Sequence, residues 1–536
     1  MMSSLTMMSR LTGFVRIWAT AYALGVAGLM SAYSVSNNIP NMIFELVAGG
    51  IISALFIPTF MELREHKNET DAWRFTSHVF NLAVLGLGVI AIIGTLFPQP
   101  FVWTQTFRMS AEEAPHVVPA ATFFFRFFAI QVVLYGAGAI ISALLNSQRQ
   151  YFWPAIGPVF NNVVATVTML VFAAITRSST LRGAAPNTNA LALLGAGTTL
   201  AVLAMFAVQI PAVLRTGWRY SFGLGLRDPA VRQMLKLAIP TLIYVMTNLV
   251  AVSFRNASAL AVPGLNGKGV AILTYAWIFY QLPYGIIAVA LATAIFTELS
   301  EASGRKDNDA FRDTFGRGLR ATGVLMLPTS AIMVALAGPL VTLYRVGAFK
   351  SSDVPVVASA LRWWAAGLIF YALTMFLLRA FYSLKDTKTP MWVNLVLTVS
   401  VQIALYWLLS TGIGSWKGIG INGIPIADAI FYACVAVTLG LLLRKRIGGY
   451  DVRGIASTFA RMAVASLLGA ASAWGIAATL AGIGGGPSGA LVQIAAGGVV
   501  GLFVAFGAGR LLGVAEVAQG GALVVRAAGR LTGRGR

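Results

Sequence analysis

An all-α polytopic membrane protein of about fourteen transmembrane helices is what this sequence predicts, and three observations predict it. Of its 536 residues, 57% are hydrophobic and only 11% are charged, whereas soluble domains carry roughly 25% charged residues. Apolar stretches near the length that crosses a hydrocarbon core, about 20 residues, recur along the whole chain. The chain also repeats itself after six such stretches. The mean hydropathy of +0.77 agrees, and soluble enzymes, disordered chains and disulfide scaffolds are excluded. A single cysteine, Cys434, leaves no intramolecular disulfide and no CxxC metal site.

Taken in order, the predicted spans fall at 9–30, 32–60, 76–98, 118–145, 154–176, 190–214, 234–262, 268–297, 314–343, 357–383, 390–411, 419–443, 456–482 and 488–512. Polar residues interrupt the first two. An even number of spans puts both termini on one side, and loop charge chooses the side. With a cytoplasmic N-terminus, 18 Lys/Arg fall in cytoplasmic segments, among them Arg64, Arg74, Arg149, Arg215, Arg227, Arg305, Lys385 and Arg444 to Arg446. The external loops then hold seven: Arg108, Arg177, Arg182, Lys268, Arg345, Lys350 and Lys417. Both ends are therefore expected in the cytoplasm. The net charge of +21 is assigned to topology and to anionic membrane lipids, with no nucleic acid required. Arg10 and Arg16 leave no uninterrupted apolar core for a cleavable signal peptide.

Sliding the chain by 236 residues brings Gly49, Ile51, Ala54, Leu55, Phe60, Glu62 and Leu63 onto Gly285, Ile287, Ala290, Leu291, Phe296, Glu298 and Leu299. After a two-residue insertion, Asp71-Ala-Trp-Arg74 meets Asp309-Ala-Phe-Arg312. The first offset then resumes. Arg126, Ala129, Tyr135, Ser147 and Pro154 fall on Arg362, Ala365, Tyr371, Ser383 and Pro390, with Arg149 opposite Lys385. Six spans preserve orientation, so these are two parallel six-helix repeats about an axis along the membrane normal. The expected organisation is an N-lobe at 1–220, a C-lobe at 221–447, two C-terminal helices at 448–515 and a basic tail at 516–536. Two lobes of this kind flank a substrate cavity, which points to a transporter.

Charges within spans cost roughly 2.5–3.5 kcal/mol each on insertion scales, so each needs a reason. Arg10 and Arg16 lie in the first span about 120° apart. Arg10 is placed to snorkel to the interface, while Arg16 lies deeper and shares a face with Thr12, Gly13 and Thr20. In the second span Ser34, Asn38, Asn41 and Glu45 follow at spacings of 4, 3 and 4, one helical face. Pro40 inside that run predicts a kink or break. Such a stripe lines a hydrated cavity or bonds neighbouring helices. In span 7, Thr241, Asn248 and Arg255 recur every seven residues, with Arg255 either facing the cavity or snorkelling outward. The duplicated Arg126 and Arg362 suggest an architectural interface. Arg379 and Asp428 are expected near membrane edges or partner contacts. Gln281, Pro283 and Gly285 mark a discontinuity in span 8.

The other signals are weak. His66, His78 and His116 have no metal-ligand spacing and are expected to be structural. Gly482 to Gly489 reads as a turn, and Gly497 with Gly501 as a helix-packing GxxxG. No catalytic constellation, Walker motif or ATPase domain is present, so neither an enzyme nor an ATP-driven pump is expected. A cavity rich in arginine and asparagine suits an anionic, hydroxyl-rich ligand, since guanidinium forks bind phosphate oxygens in pairs. A lipid-linked pyrophosphate sugar meets those conditions; so does an anionic drug or metabolite.

Several motifs together resemble the MurJ/MviN family of lipid II flippases. They are Ser9-Arg10-Leu11-Thr12-Gly13-Phe14-Val15-Arg16, Ile39-Pro40-Asn41, Ile57-Pro58, Leu145-Asn146-Ser147, Gln281-Leu282-Pro283-Tyr284-Gly285, and Phe381-Tyr382-Ser383 continuing to Asp386-Thr387-Lys388-Thr389-Pro390. The segment from Asn38 to Gly50 looks like the actinobacterial branch. The resemblance covers about residues 1–450 and places the chain in the multidrug/oligosaccharidyl-lipid/polysaccharide exporter superfamily. It implies outward movement of the undecaprenyl-pyrophosphate-linked peptidoglycan precursor across the bacterial cytoplasmic membrane by alternating access. It implies no cofactor, coupling to membrane potential or an unidentified ion, and other cell-wall synthesis proteins as candidate partners. By position, Arg10 and Arg16 match first-helix arginines proposed to hold the pyrophosphate, with Asn38, Asn41, Glu45 and Arg255 expected to contact the substrate. The sequence departs from the family where Ser31 replaces an acidic residue and where Phe44 and Ile278 replace arginines. The alternatives are another exporter of the superfamily, for a polysaccharide lipid or a drug, and a non-transporting cell-wall scaffold.

Overall fold

The computed structural model describes residues 2–47, 56–66, 68–181, 186–482 and 486–518, and every regular element among them is helical. Gly49, Gly50, Ile51, Ala54 and Leu55, Lys67, Arg182, residues 483–485 of the glycine-rich turn and the basic tail beyond Ala518 lie outside the described residues. The chain divides into two compact units, Met1–Ala271 with Val346–Lys350, and Ile272–Arg345 with Ser351–Arg536.

The first unit contains α1 (Met2–Leu24), α2 (Gly28–Val47), α3 (Ile57–His66), α4 (Glu69–Leu96), α5 (Pro98–Thr106), α6 (Val118–Phe128), α7 (Gln131–Ser147), α8 (Phe152–Leu181), α9 (Thr188–Ala207), α10 (Ile210–Arg215) and α11 (Pro229–Leu260). The helix starts are set by local chemistry. Asn68 accepts the Asp71 N–H at 2.7 Å to cap α4, and Asp228 accepts the Ala230 N–H ahead of Pro229 to cap α11. α11 packs on α5, α2 and α4. Compactness therefore places the unit limit after α11, whereas the repeat places the lobe limit at 220/221. A core of Phe56, Phe60, Trp73, Phe75, Leu144 and Met234 joins α3, α4, α7 and α11.

Residues 216–228 run as a strap along α4. The Trp218 indole and the Ser221 N–H both donate to Ser77 Oγ at 3.1 Å, and the Asn81 amide donates to the Ser221 and Gly223 carbonyls. His78 Nδ1 meets Asp228 at 3.2 Å. Gly225 has φ +58°, and a Cβ there would lie 2.4 Å from the His78 ring. His78 is thus structural, as its isolation in the sequence suggests.

The second unit contains α12 (Gly269–Pro283), whose first turn belongs to the first unit, then α13 (Val289–Gly304), α14 (Asn308–Ala335), α15 (Ala337–Thr342), α16 (Val354–Ser383), α17 (Lys388–Leu397), α18 (Ala404–Thr411), α19 (Gly423–Ile447), α20 (Val452–Thr479) and α21 (Pro487–Leu511). A π-helical turn, Tyr284–Ala288, links α12 to α13 immediately after Pro283, and another, Thr398–Ile403, links α17 to α18. The discontinuity expected around Gln281, Pro283 and Gly285 is the first of these.

Among the described residues ten helices are long and apolar enough to cross a membrane, or eleven if α6 and α7, bent by 43°, form one span. The sequence predicts fourteen. The remaining three predicted spans correspond to α1, α2 and α11; α1 and α2 carry the Arg, Asn and Glu residues that lower their apolarity, and several side chains in the first half of α11 lie outside the described residues. Polarity and suspected function coincide in α1 and α2.

The repeat is visible in local geometry. In the first copy α7 ends with Ser147 Oγ donating to the Leu144 carbonyl, then Arg149 at φ 60°, then the Gln150 N–H donating to the Leu145 carbonyl at 2.9 Å. In the second, α16 ends with Ser383 Oγ donating to the Ala380 carbonyl, Lys385 at φ 57°, and the Asp386 N–H donating to the Phe381 carbonyl at 3.0 Å. Left-handed, non-glycine residues are uncommon, so the shared turn explains why these positions match. Likewise Arg74 pairs with Asp71 at 3.8 Å and Arg312 with Asp309 at 3.0 Å.

The second turn carries an addition that the first lacks. Asp386 accepts from the Thr389 N–H at 3.0 Å and the Thr389 hydroxyl at 2.7 Å, and it contacts the Arg446 guanidinium. Burial alone would raise the Asp386 carboxyl pKa. The hydrogen bonds from Thr389 and the charge of Arg446 outweigh it and hold the pKa below the ordinary carboxylate value. A depressed folded-state pKa stabilises the fold above the unfolded value, about 3.9, and that contribution is lost as pH falls through the folded value. Asp386→Asn should therefore lower the melting temperature of detergent-purified protein at pH 7. The gap from wild type should close below about pH 4; a gap that persists at low pH contradicts this account.

The C-terminal pair is fastened through small residues. A Cβ on Gly469 of α20 would lie 2.5 Å from the Gly501 carbonyl oxygen of α21, and one on Gly501 2.9 Å from the Ala473 Cβ. Gly323 of α14 presses on the Phe459 ring of α20, and Arg320 of α14 meets Glu516 at 2.6 Å. Close backbone approach of this kind drives helix association in membranes. Gly469→Leu should destabilise the protein by about 1–3 kcal/mol or more through overpacking, read as a lower melting temperature. Gly475→Leu is the control, since a Cβ there meets nothing within 4 Å.

Candidate substrate site

The deepest cation of α1 is held by α8. Ser9, Thr12, Arg16 and Thr20 form a polar seam facing Asn161 and Asn162. Thr12 Oγ1 bonds back to the Met8 carbonyl at 2.9 Å, and the Asn162 amide donates to the Ser9 carbonyl and to Thr12 Oγ1, both at 3.1 Å. Arg16 Nη1 donates to Asn161 Oδ1 at 3.2 Å, and Thr20 Oγ1 donates to the Arg16 carbonyl at 2.8 Å. Gly13 fits this seam, since a Cβ there would stand 3.5 Å from the Asn162 amide. Arg16 is half-buried, and the rings of Tyr33 and Tyr135 lie within its electrostatic reach. Of its five N–H donors, one has a hydrogen-bond partner among the described residues. Arg10 is exposed, off this seam.

The stripe on α2 is one face, graded in burial. Ser31 is fully buried and accepts the Ala271 N–H at 3.0 Å, satisfying a donor in the first turn of α12. Ser34 is buried, Asn38 and Asn41 are half-buried, and Glu45 is exposed. Of the kink or break expected at Pro40, the break does not occur, for α2 is helical from Gly28 to Val47. The Asn41 amide bonds to the Asn37 carbonyl at 2.8 Å, one turn back across the proline. The other side of α2 packs, with Ser36 Oγ on the Ala121 carbonyl and Phe44 against the Tyr135 ring at 5.0 Å. Two of the three family departures therefore have structural work, Ser31 as a cap and Phe44 as a packing ring; Ile278 is half-buried on α12.

Arg255 is half-buried on α11, in a segment gripped by α5 and the turn after it. The Gln105 amide donates to Ser253 Oγ at 2.7 Å and accepts from the Asn256 amide at 2.8 Å, while Arg108 Nη1 donates to Ser258 Oγ at 2.6 Å. Burial lowers the Arg108 pKa to about 10, which still leaves it charged at neutral pH. Glu113, also buried, accepts the N–H groups of Gly264, Asn266 and Gly267 at 3.1, 3.3 and 2.6 Å and fixes the turn after α11. The Thr241 side chain lies outside the described residues.

Arg10, Arg16, Asn38, Asn41, Glu45 and Arg255 all belong to the first unit. The hydrogen bonds of Arg16 and Asn41 run to Asn161 and Asn37, not to each other. Sequence reasoning missed Asn161 and Asn162, whose signal was two adjacent amides in the middle of an apolar span. It also missed the neighbours of Asp428. That residue is 3% exposed inside the second unit and accepts from the Trp364 indole at 2.9 Å, the Gln402 amide at 3.0 Å and the Tyr406 hydroxyl. Its neighbours are side chains of this chain, so the expected partner contact does not apply. The π-helical turn before α18 carries Gln402. Arg379 lies over the Phe296 ring at 5.6 Å, a cation–π contact.

Comparison with known proteins matches residues 20–485 to a family model described as lipid II flippase MurJ. Arg10 and Arg16 precede that interval. A probable lipid II flippase MurJ of Rhizobium meliloti is 28% identical over 75% of this chain and 73% of its own. The lipid II flippase MurJ of Burkholderia cenocepacia is 26% identical over 83% of each. Among solved structures, a lipid II flippase MurJ in an inward closed conformation aligns with TM-score 0.74 at 21% identity, over 94% of this chain and 97% of that one. An inward-facing multidrug resistance MATE family transporter of the MOP superfamily aligns with TM-score 0.66 at 16% identity, over 81% and 94%. At these identities the structural matches establish the fold.

Proposed function

The chain belongs to the lipid II flippase MurJ family, and on that premise we propose that it carries lipid II from the inner to the outer leaflet of a bacterial cytoplasmic membrane by alternating access. It is a multi-pass transporter, not an enzyme. The observation that carries the reading is Arg16, a guanidinium set into an apolar helix, oriented by Asn161, with most of its donors turned to no protein partner among the described residues. One hydrogen bond to a neutral amide offsets only part of the roughly 2.5–3.5 kcal/mol that such a charge costs. A pyrophosphate supplies the rest by accepting the fork.

In this reading Arg10 meets the same phosphates from the interface. Asn38, Asn41 and Glu45 contact the sugar and peptide head group, and Arg255 adds a cation on α11. Both termini are cytoplasmic, and the basic loops and tail lie against anionic lipid. Transport is coupled to membrane potential or to an ion. Depleting the protein in a host without a second flippase should lower the lipid II accessible from outside the cell; unchanged exposure would contradict the function.

A further inference from the structure

Arg126 and Arg362 occupy equivalent positions in the repeat, and both are exposed. Neither has a hydrogen bond or ion pair among the described residues. What differs is their surroundings. Arg126 stands on α6 in the first unit, where the described residues include no counterpart of α20 and α21. In the second unit those two helices pack on α14 and α15, and α15 packs on α16, which carries Arg362. The result is a cavity of about 490 Å³ in which Arg362 is the only ionisable lining residue among the described residues. Gln493 of α21 lines it as a second polar side chain with no hydrogen bond among the described residues. The rest is apolar or small, including Gly338 and Pro339 of α15 and Trp474 and Ala478 of α20.

Depth decides what can fill it. Arg362 lies eight residues into α16, Gln493 six residues into α21, and Trp474 five residues before the end of α20. At 1.5 Å per residue these sit roughly 8–12 Å inside the helix ends. All three ends are at the same side of the unit. That depth matches the boundary between head groups and hydrocarbon, where tryptophan is favoured. Trp474 is 65% exposed, so the cavity opens to the outside of the unit. A Cβ on Gly338 meets nothing within 4 Å, so its floor is open as well.

We propose that this cavity is a binding site for an anionic glycerophospholipid, with Arg362 holding the phosphate diester. Gln493 donates to the glycerol ester or head-group hydroxyl, and Trp474, Pro339 and Ala478 cover the first methylenes of the chains. The charge pattern favours an anionic lipid over a zwitterionic one. The cavity contains a guanidinium and no carboxylate, so nothing in it would pair with a choline or ethanolamine cation. The site uses none of the residues assigned to lipid II and does not rest on the transport reading.

The test is native mass spectrometry of the full chain in detergent, titrated with phosphatidylglycerol or phosphatidylcholine. Wild type should retain phosphatidylglycerol at least about tenfold more tightly, the scale of one charge-assisted contact. Arg362→Gln and Ala478→Trp, which fills the cavity, should each remove that preference, and Arg126→Gln should leave it. If Arg362→Gln does not yield folded protein, Ala478→Trp carries the test alone. A phosphatidylglycerol with brominated chains should also quench a fluorescence component that Trp474→Phe abolishes. Equal retention of the two lipids by wild type, an unchanged preference in the folded cavity variants, or a loss in Arg126→Gln as large as in Arg362→Gln would overturn the proposal.

Discussion

Arg16→Ala should abolish complementation of a host lacking its flippase while the protein still reaches the membrane at wild-type level. The substitution removes a fork able to make two charge-assisted hydrogen bonds to phosphate oxygens, each worth about 1.5–3 kcal/mol. Losing both costs about 3 kcal/mol or more, on the order of 100-fold in substrate affinity. Folding should not suffer, because the seam keeps the Asn162 bonds to Ser9 and Thr12 and loses only the Asn161 contact. Arg16→Lys keeps the charge without the planar fork and should retain a small fraction of activity. Asn161→Leu frees the guanidinium to swing, so it should weaken transport by about tenfold, less than removing the arginine. Full activity of Arg16→Ala would remove this residue from the mechanism.

Asp428→Ala should be the most destabilising single substitution in the second unit. The carboxylate gathers Trp364, Gln402 and Tyr406 around one buried point. Removing it strands three donors where water does not reach, at about 1–3 kcal/mol apiece. The expected loss is about 3 kcal/mol or more, seen as reduced expression and a lower melting temperature in detergent. Asp428→Asn keeps one acceptor oxygen of the same shape and should recover part of that loss. Equal melting temperatures for wild type and Asp428→Ala would mean that the cluster contributes no stability.

Much of this architecture is legible in the sequence because bilayers impose a length and an apolarity that hydropathy reads directly. The repeat is equally legible, and the matched Arg149 and Lys385 prove to be the same left-handed turn. The polar face of α2 follows from spacing alone. What spacing does not give is the partner. Arg16 and Asn161 are 145 residues apart, Glu113 and Gly267 are 154 apart, and Trp364 and Asp428 are 64 apart. Asp428 looked peripheral because it stands five residues into α19, yet side chains from α16 and α18 and the π-helical turn reach over it. Pro40 was expected to kink or break α2 because the rule concerns an isolated helix; here the helix runs on, its flanks pack through Ser36 and Phe44, and Asn41 bonds across the proline.

The account turns on whether this chain moves lipid II and whether Arg16 is the group that holds it. Fluorescent lipid II in liposomes reconstituted with the protein, under an imposed membrane potential, measures both together. Wild-type protein should expose inner-leaflet lipid II to an externally added, membrane-impermeant reagent, and Arg16→Ala incorporated at the same density should not exceed protein-free liposomes. Equal exposure with wild type and Arg16→Ala, or none with wild type, would contradict it.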